Sequence, residues 1–303
     1  MDLIFAEPWW LDTVAPGRWE EIKVEDSGTS ARWIFTREKH RTGLMKIENP
    51  PLSPRLGPMI RVPSDRKAAK SIAAQKSLMN ELIALVPKHD YLIQACTSDF
   101  KYWLPFYWAG YRQTTHYSHV LDNPSDQDAV WSGLTQNHRR AIKKGRERYE
   151  IRYDFGSEIL VEMLEATFGR QGLKLGCPPS LIMRLAETAI DHDSARLIVA
   201  VDEGGRPIAA ALIVWDDTTA YYLLGGRADH DGIDAMPLVL WDGIELAGEL
   251  SRRFDFEGSM VEGIENFFRG FGGTPEPYSI LSHASRRMEV SLAARQVAKA
   301  IRG

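Results

Sequence analysis

An α/β fold of mixed, mostly antiparallel sheets flanked by helices is what this 303-residue sequence predicts. Three apolar runs, ARLIVAV, PIAAALIVW and TAYYLLGG, are joined by DEGGR and DDT, which are hairpin sequences, so an antiparallel meander is expected. Helix, strand, helix and strand patterns then alternate to the end of the readable region. The length exceeds one ordinary core, so two domains are expected, 1–148 and 149–282. Residues 283–303, which include SRRMEVSLAARQVAKAI, are suited to a helix that returns to the first domain.

The elements follow in order. EEIKVED and ARWIFTRE read as strands, and GLMKIENPPLSPRLGPMIRVP starts as a strand and passes into a proline-rich loop expected to be irregular. From Asp65 a helix places Ile72, Gln75, Met79, Leu82, Ile83 and Val86 on one inward face, with Ser64 or Asp65 as its cap and Pro87 as its terminator. YLIQAC is a buried strand, and the later part of YWAGYRQTTHYSHVLD alternates like another. DQDAVWSGLTQNHRRAIKKG reads as one helix that turns Val130, Trp131, Leu134, Ala141 and Ile142 inward and stops at Gly145. The second half opens with helices at SEILVEMLEATFG and SLIMRLAETAI. After the meander come a helix in PLVLWDGIELAGEL, the strand FDFEG, a helix in ENFFRGFG and the strand YSIL.

Composition narrows the function. With 44% hydrophobic and 26% charged residues the chain is expected to fold as a soluble globular protein. A net charge of -4 gives no global attraction to nucleic acid, which excludes a general DNA binder and leaves only a local basic patch. Such a patch exists within 137–150, where six Lys/Arg stand against two Glu. Cys96 and Cys177 form no CxxC or Cys/His cluster, so neither zinc nor a disulfide framework is indicated, and no nucleophilic cysteine is expected. The start MDLIFAEPWWLDTV lacks a basic n-region and no apolar run is long enough to span a bilayer. Export and membrane insertion are therefore not expected, and a cytoplasmic location is.

Five segments together resemble the FemAB-related branch of the GNAT acyltransferase superfamily: PPLSPRLGPMI, FYWAGYRQTTHYSHVLD, NHRRAIKKG, YYLLGGRAD and FDFEGSMVEGIENFFRGFGG. The resemblance implies two GNAT-like domains in tandem, with the fourth and fifth strands of the second splayed apart. In that family the last segment is similar to an aromatic-Asp-Phe strand, a glycine, a short helix and Phe-Lys-x-x-Phe-Gly. Arg269 here stands at the lysine position, which implies a cation at the reacting centre. A guanidinium there suits a developing oxyanion or a substrate carboxylate or phosphate. Glu257 or Asp255 is then placed to orient or deprotonate an attacking amine. Read without the family, Asp255 fits equally a cap or a partner of Arg252 or Arg253, and Arg269 a stem packed between phenylalanines.

The resemblance leaves the acyl donor open between acyl-CoA and an aminoacyl-tRNA. GNAT proteins that use CoA cradle its pyrophosphate on a glycine-rich turn after the fourth strand. Here that turn is GGRADHDGIDAMP: Gly225, Gly226 and Arg227 suit a phosphate, whereas Asp229, Asp231 and Asp234 oppose one. Arg140 and Lys144, at the basic end of the 126–145 helix, are the residues expected to meet a polyanionic donor, although a basic helix end also complements the macrodipole. No metal is needed. For a sugar, peptide or small-molecule acceptor the expected contacts are Trp108, Tyr111, Gln113, Thr115 and Tyr117, with Arg55, Arg170, Gln171 and Tyr222. Tyr107, His119 and Val120 read as space-filling. The function expected is transfer of an activated acyl group, from acyl-CoA in the first reading, to an amine of a cell-envelope, glycan-precursor or small-molecule acceptor. An aminoacyl-tRNA-dependent transferase and a non-catalytic glycan- or peptide-binding module are the alternatives, and the oligomeric state is left open.

Overall fold

The computed structural model describes residues 3–26, 28–40, 43–228, 233–286 and 288. A 3-10 turn at Ile4–Ala6 leads into α1 (Pro8–Val14), followed by β1 (Trp19–Asp26), β2 (Thr29–Lys39), β3 (Met45–Glu48) and β4 (Gly57–Arg61). Next come α2 (Ala68–Leu85), β5 (Tyr91–Ala95), α3 (Leu104–Trp108), β6 (Arg112–Leu121), α4 (Gln127–Gly133) and α5 (Gln136–Arg148). The chain continues through β7 (Glu150–Arg152), α6 (Ser157–Arg170), α7 (Pro179–Asp191), β8 (Ala195–Val201), β9 (Pro207–Trp215) and β10 (Thr219–Arg227). It finishes with α8 (Met236–Glu249), β11 (Arg253–Asp255), α9 (Glu262–Arg269) and β12 (Thr274–Ala284). The mixed α/β class is the one the sequence predicts. The returning helix expected in 283–303 falls largely outside the described residues.

Two units interleave along the chain: Met1–Val14 with Tyr117–Glu276, and Ala15–His116 with the chain from Pro277 onward. The sequence reading divides the chain at 148/149. In the structure Val130, Leu134 and Ile142 of the 126–148 region share one apolar cluster with Ile213, Leu238, Trp241 and Phe254, so these helices pack with the later unit.

In the unit formed by Ala15–His116 and the chain from Pro277, β2 pairs antiparallel with β1, β3 and β4, while β3 pairs parallel with β5 and β12 antiparallel with β5. Trp33, Phe35, Ile47, Met79, Leu82, Leu92 and Phe106 make its core. Gln94, itself buried, accepts from the Trp33 indole N–H and donates to the Ile34 carbonyl at 2.8 Å, so its amide is satisfied on both sides. Two expectations fail here for identifiable reasons. The proline-rich loop contains β4, because Gly57 adopts φ +66° and lets the strand pass Cys96, whose Sγ would lie 2.8 Å from any Cβ at that position. The helix starts at Ala68 with Lys67 as a cap that makes no side-chain bond, and only Leu78, Met79 and Leu82 are buried, so Ile72 points outward.

In the unit formed by Met1–Val14 and Tyr117–Glu276, β8, β9 and β10 form the expected antiparallel meander, β11 pairs parallel with β10, and β6 pairs antiparallel with β11. Helices cover both faces of this sheet. Ala209, Ala211 and Ile213 join the cluster that contains α8, whereas Gly226, in register with Ala210 on the other face, meets α6. The helix expected over 126–145 is two helices. Thr135 restarts it as the cap of α5, and Gly145 lies buried inside α5 against Leu238 instead of ending it.

Candidate active site

Parallel pairing of β10 with β11 lasts for Thr219↔Arg253, Ala220↔Phe254 and Tyr221↔Asp255. β11 then stops, while β10 runs on to Arg227 past an irregularity at Tyr222/Leu224. The two strands part at that point. The chain leaving β11 is held to β6, where the Phe256 N–H donates to the His119 carbonyl at 3.0 Å. It then turns through Glu257 at φ +58° and Gly258 at φ +64°, where a Cβ on Gly258 would overlap the Tyr117 carbonyl. A non-glycine residue in the left-handed region is strained. Asp255 compensates: buried, it accepts from the Ser118 hydroxyl and, at 2.8 Å, from the Glu257 N–H. Asp255 therefore braces the turn that displays Glu257.

Beyond the turn, α9 is pinned by its aromatic face. Phe268 packs on Phe256 and on Tyr222 with ring centroids 5.3 and 5.8 Å apart, and Phe271 packs on Phe256 at 5.2 Å. That floor fixes the polar edge of the helix. Arg269 is 61% exposed and bends back along α9, its Nε 3.1 Å from Glu265 Oε1 and its Nη2 donating to Asn266. The same Glu265 oxygen lies 3.5 Å from Nε2 of His119, a buried side chain on β6. Glu265 thus stands between an imidazole and a guanidinium. Burial, with Asp234 adding to it, pushes the Tyr222 phenol above its ordinary range, and its hydroxyl occupies the space a Cβ on Gly225 would need. A neutral phenol beside an apolar floor is suited to donating a hydrogen bond.

The structure sets Asp255 and Glu257 on β11 and its turn, beside the Tyr117 backbone, and packs Tyr222 on α9, whose Arg269 turns to Glu265 and Asn266. Sequence reasoning missed Ser118, His119 and Glu265. The i,i+4 spacing of Glu265 and Arg269 was a readable signal, and so was a Ser-His pair at the apolar end of a strand.

The turn after β10 is built differently. A Cβ on Gly226 would overlap the Met163 carbonyl, so this glycine admits α6. Thr167 Oγ1 accepts from the Arg227 N–H at 2.8 Å, and Arg170 donates to the Arg227 carbonyl at 2.9 Å, latching α6 to the end of β10. Gln171 is the exposed C-cap of α6. Arg227 lies 3.7 Å from Asp234, whose other oxygen accepts from the Met236 N–H at 3.0 Å at the entry to α8. Asp229, Asp231 and Gly232 lie outside the described residues. The described part of this turn does not fit a pyrophosphate: its glycines serve packing and a carboxylate already takes a free N–H of α8.

Arg140 and Lys144 are exposed on α5. Trp108, Tyr111, Gln113, Thr115 and Arg55 belong to the other unit. Tyr111 is core there, its ring against Phe106 at 5.2 Å and His283 at 4.8 Å, and burial raises its phenol. Arg55 is buried with its guanidinium 5.3 Å from the Tyr278 ring. Gln113 bonds Thr115 and Ser279 at 3.1 and 3.2 Å, and Trp108 is exposed beneath Lys76.

A separate cavity of about 450 Å³ is lined by Tyr153, Arg196, Asp242, Glu245 and Glu249 among others. Burial pushes the Asp242 carboxyl up to about 6, against the hydrogen bonds it accepts from Tyr153. Among the described residues no His/Cys/Asp/Glu group could hold a metal ion, and no helix is long and apolar enough to cross a membrane.

Residues 132–269 match the acetyltransferase (GNAT) domain family. The fold is similar to that of FemX (TM-score 0.67, 12% identity, 90% of each chain covered). It is also similar to L-PGS from Bacillus licheniformis (0.56, 12%, covering 92% of this chain and 89% of that one). A third likeness is to a conserved protein of unknown function from Bacteroides thetaiotaomicron VPI-5482 (0.55, 9%, 91% and 90%). No curated protein matches the chain. At such identities the likeness is one of fold, and the domain match covers residues 132–269.

Proposed function

We propose that the protein transfers an activated acyl group to an amine of a cell-envelope, glycan-precursor or small-molecule acceptor, with the reaction at the gap between β10 and β11. The observation that carries this reading is the end of β10–β11 pairing at Asp255 inside the GNAT-matched segment, with Glu257 on the turn that follows and Glu265 and Arg269 on α9. The amine nitrogen bonds to the acyl carbon, the bond to the leaving group breaks, and the amine loses a proton. Glu257, on its strained and braced turn, is the carboxylate best displayed to take that proton. Arg269 releases Glu265 and Asn266 to meet the developing oxyanion or an anionic group of the substrate. Tyr222 orients the substrate through its hydroxyl. Asp255 acts through the turn and not on the substrate.

The donor has two readings. The GNAT domain favours acyl-CoA, with its pyrophosphate held elsewhere than at the turn after β10. The exposed Arg140, Lys143 and Lys144 on α5, together with the resemblance to FemAB-related peptidyltransferases, support an aminoacyl-tRNA. Incubation with a panel of amines and either acyl-CoA or aminoacyl-tRNA separates them, read as thiol release or as deacylated tRNA. A protein that binds acceptors yet turns over neither donor is a binding module, and the acyltransferase reading is then wrong.

A further inference from the structure

We infer that the exposed face shared by α2 and α3 docks on an anionic lipid surface. The inference goes beyond acyl transfer and does not depend on it. α3 is five residues long, and its Phe106 and Pro105 are buried, Phe106 against Trp33 and Phe100 at 5.5 and 5.6 Å. That anchor fixes the helix and leaves Leu104, Tyr107 and Trp108, at i, i+3 and i+4, 42, 59 and 57% exposed on one side. On α2, Ile72 is 47% exposed one turn from Lys76, whose ammonium lies 4.8 Å from the centre of the Trp108 ring and joins the two helices into one patch. Four large apolar side chains gathered around one lysine are not the scattered exposure of an ordinary surface.

Charge identifies the occupant. Residues 65–81 carry Arg66, Lys67, Lys70 and Lys76 against Asp65 and Glu81, and residues 99–116 carry Lys101 and Arg112 against Asp99, a local basic excess in a chain of net charge -4. Lys67, Lys70, Lys76 and Lys101 are all exposed. Trp and Tyr with lysines at their flank match the headgroup level of a bilayer, where the ring sinks to the acyl boundary and the ammonium meets lipid phosphate.

The test is co-sedimentation of the full chain with vesicles of phosphatidylcholine alone and of equal parts phosphatidylcholine and phosphatidylglycerol. Binding is expected to the mixed vesicles only and to weaken with salt. Lys76→Glu should lower the partition coefficient about fivefold, and Trp108→Ala or Tyr107→Ser about tenfold. All three side chains are exposed, so circular dichroism should show unchanged folding. Mixed vesicles that do not bind, or binding indifferent to all three substitutions, overturns the proposal. So does a dimer in sedimentation velocity that Trp108→Ala dissolves while vesicles stay unbound, because a second copy would then own the patch.

Discussion

Two turns of the Met1–Val14/Tyr117–Glu276 unit follow neighbouring parallel strands, and both are rich in glycine and acid, yet they do opposite things. At the end of β10, Gly226 makes room for the backbone of α6, and beyond it Asp234 accepts the Met236 N–H at the entry to α8, so the described part of this region serves packing. After β11, Gly258 makes room for β6, Asp255 is spent on Ser118 and Glu257, and the result is a strained turn that carries the half-buried Glu257. Glycine in a turn marks close approach. What approaches decides whether the turn is a site.

Substitutions can break this comparison. The largest effects are expected at the glycines: Gly226→Ala and Gly258→Ala each force a Cβ onto backbone carbonyl oxygen, and each should cost about 3 kcal/mol in urea unfolding. A freely tolerated Gly226→Ala would return that glycine to ligand binding. Arg269→Ala should leave the unfolding midpoint in place and lower kcat/KM about 100-fold, whereas full turnover would remove Arg269 from the reaction. Asp255→Asn should weaken folding by about 1–2 kcal/mol and lower activity with it; an activity loss without any loss of stability would make Asp255 a catalytic group. Arg227→Ala, on an exposed ion pair, should change stability by less than about 0.5 kcal/mol and leave the acyl-donor KM alone. A large rise in that KM would restore the first turn as a donor cradle.

A pH-dependent effect is expected at Asp242, outside both turns. Its carboxyl is raised to about 6 in the fold, above its ordinary value of 3.8. The contribution of this group to stability is then full below its unfolded value and is lost as pH rises through about 6, since the fold favours the protonated form. Asp242→Asn should flatten that decline in a melting-temperature series between acidic and neutral pH; an unchanged slope would assign it to another group.

The meander, the helices of the second half and the charged residues of its last segment were legible because each depends on local alternation, hairpin chemistry or helical spacing. The reading of Ile72 as inward failed because α2 buries less than a full apolar stripe, and periodicity reports which residues share a face, not whether that face is covered. The helix through 126–145 was read as one because Thr135, a cap, looks in sequence like any polar residue. His119 passed for filler because its partner, Glu265, is far away in the chain.

The sequence by itself determined the type of most elements of the second half, the mixed α/β class and the presence of Asp255, Glu257 and Arg269 in one short segment, since these follow from side-chain pattern over a few residues. Tertiary structure alone decided that β10 and β11 separate after Asp255, that Gly225 and Gly226 are taken by Tyr222 and α6, and that Glu265 lies between His119 and Arg269. Those outcomes depend on which distant backbone fills a given space, and no local pattern encodes that.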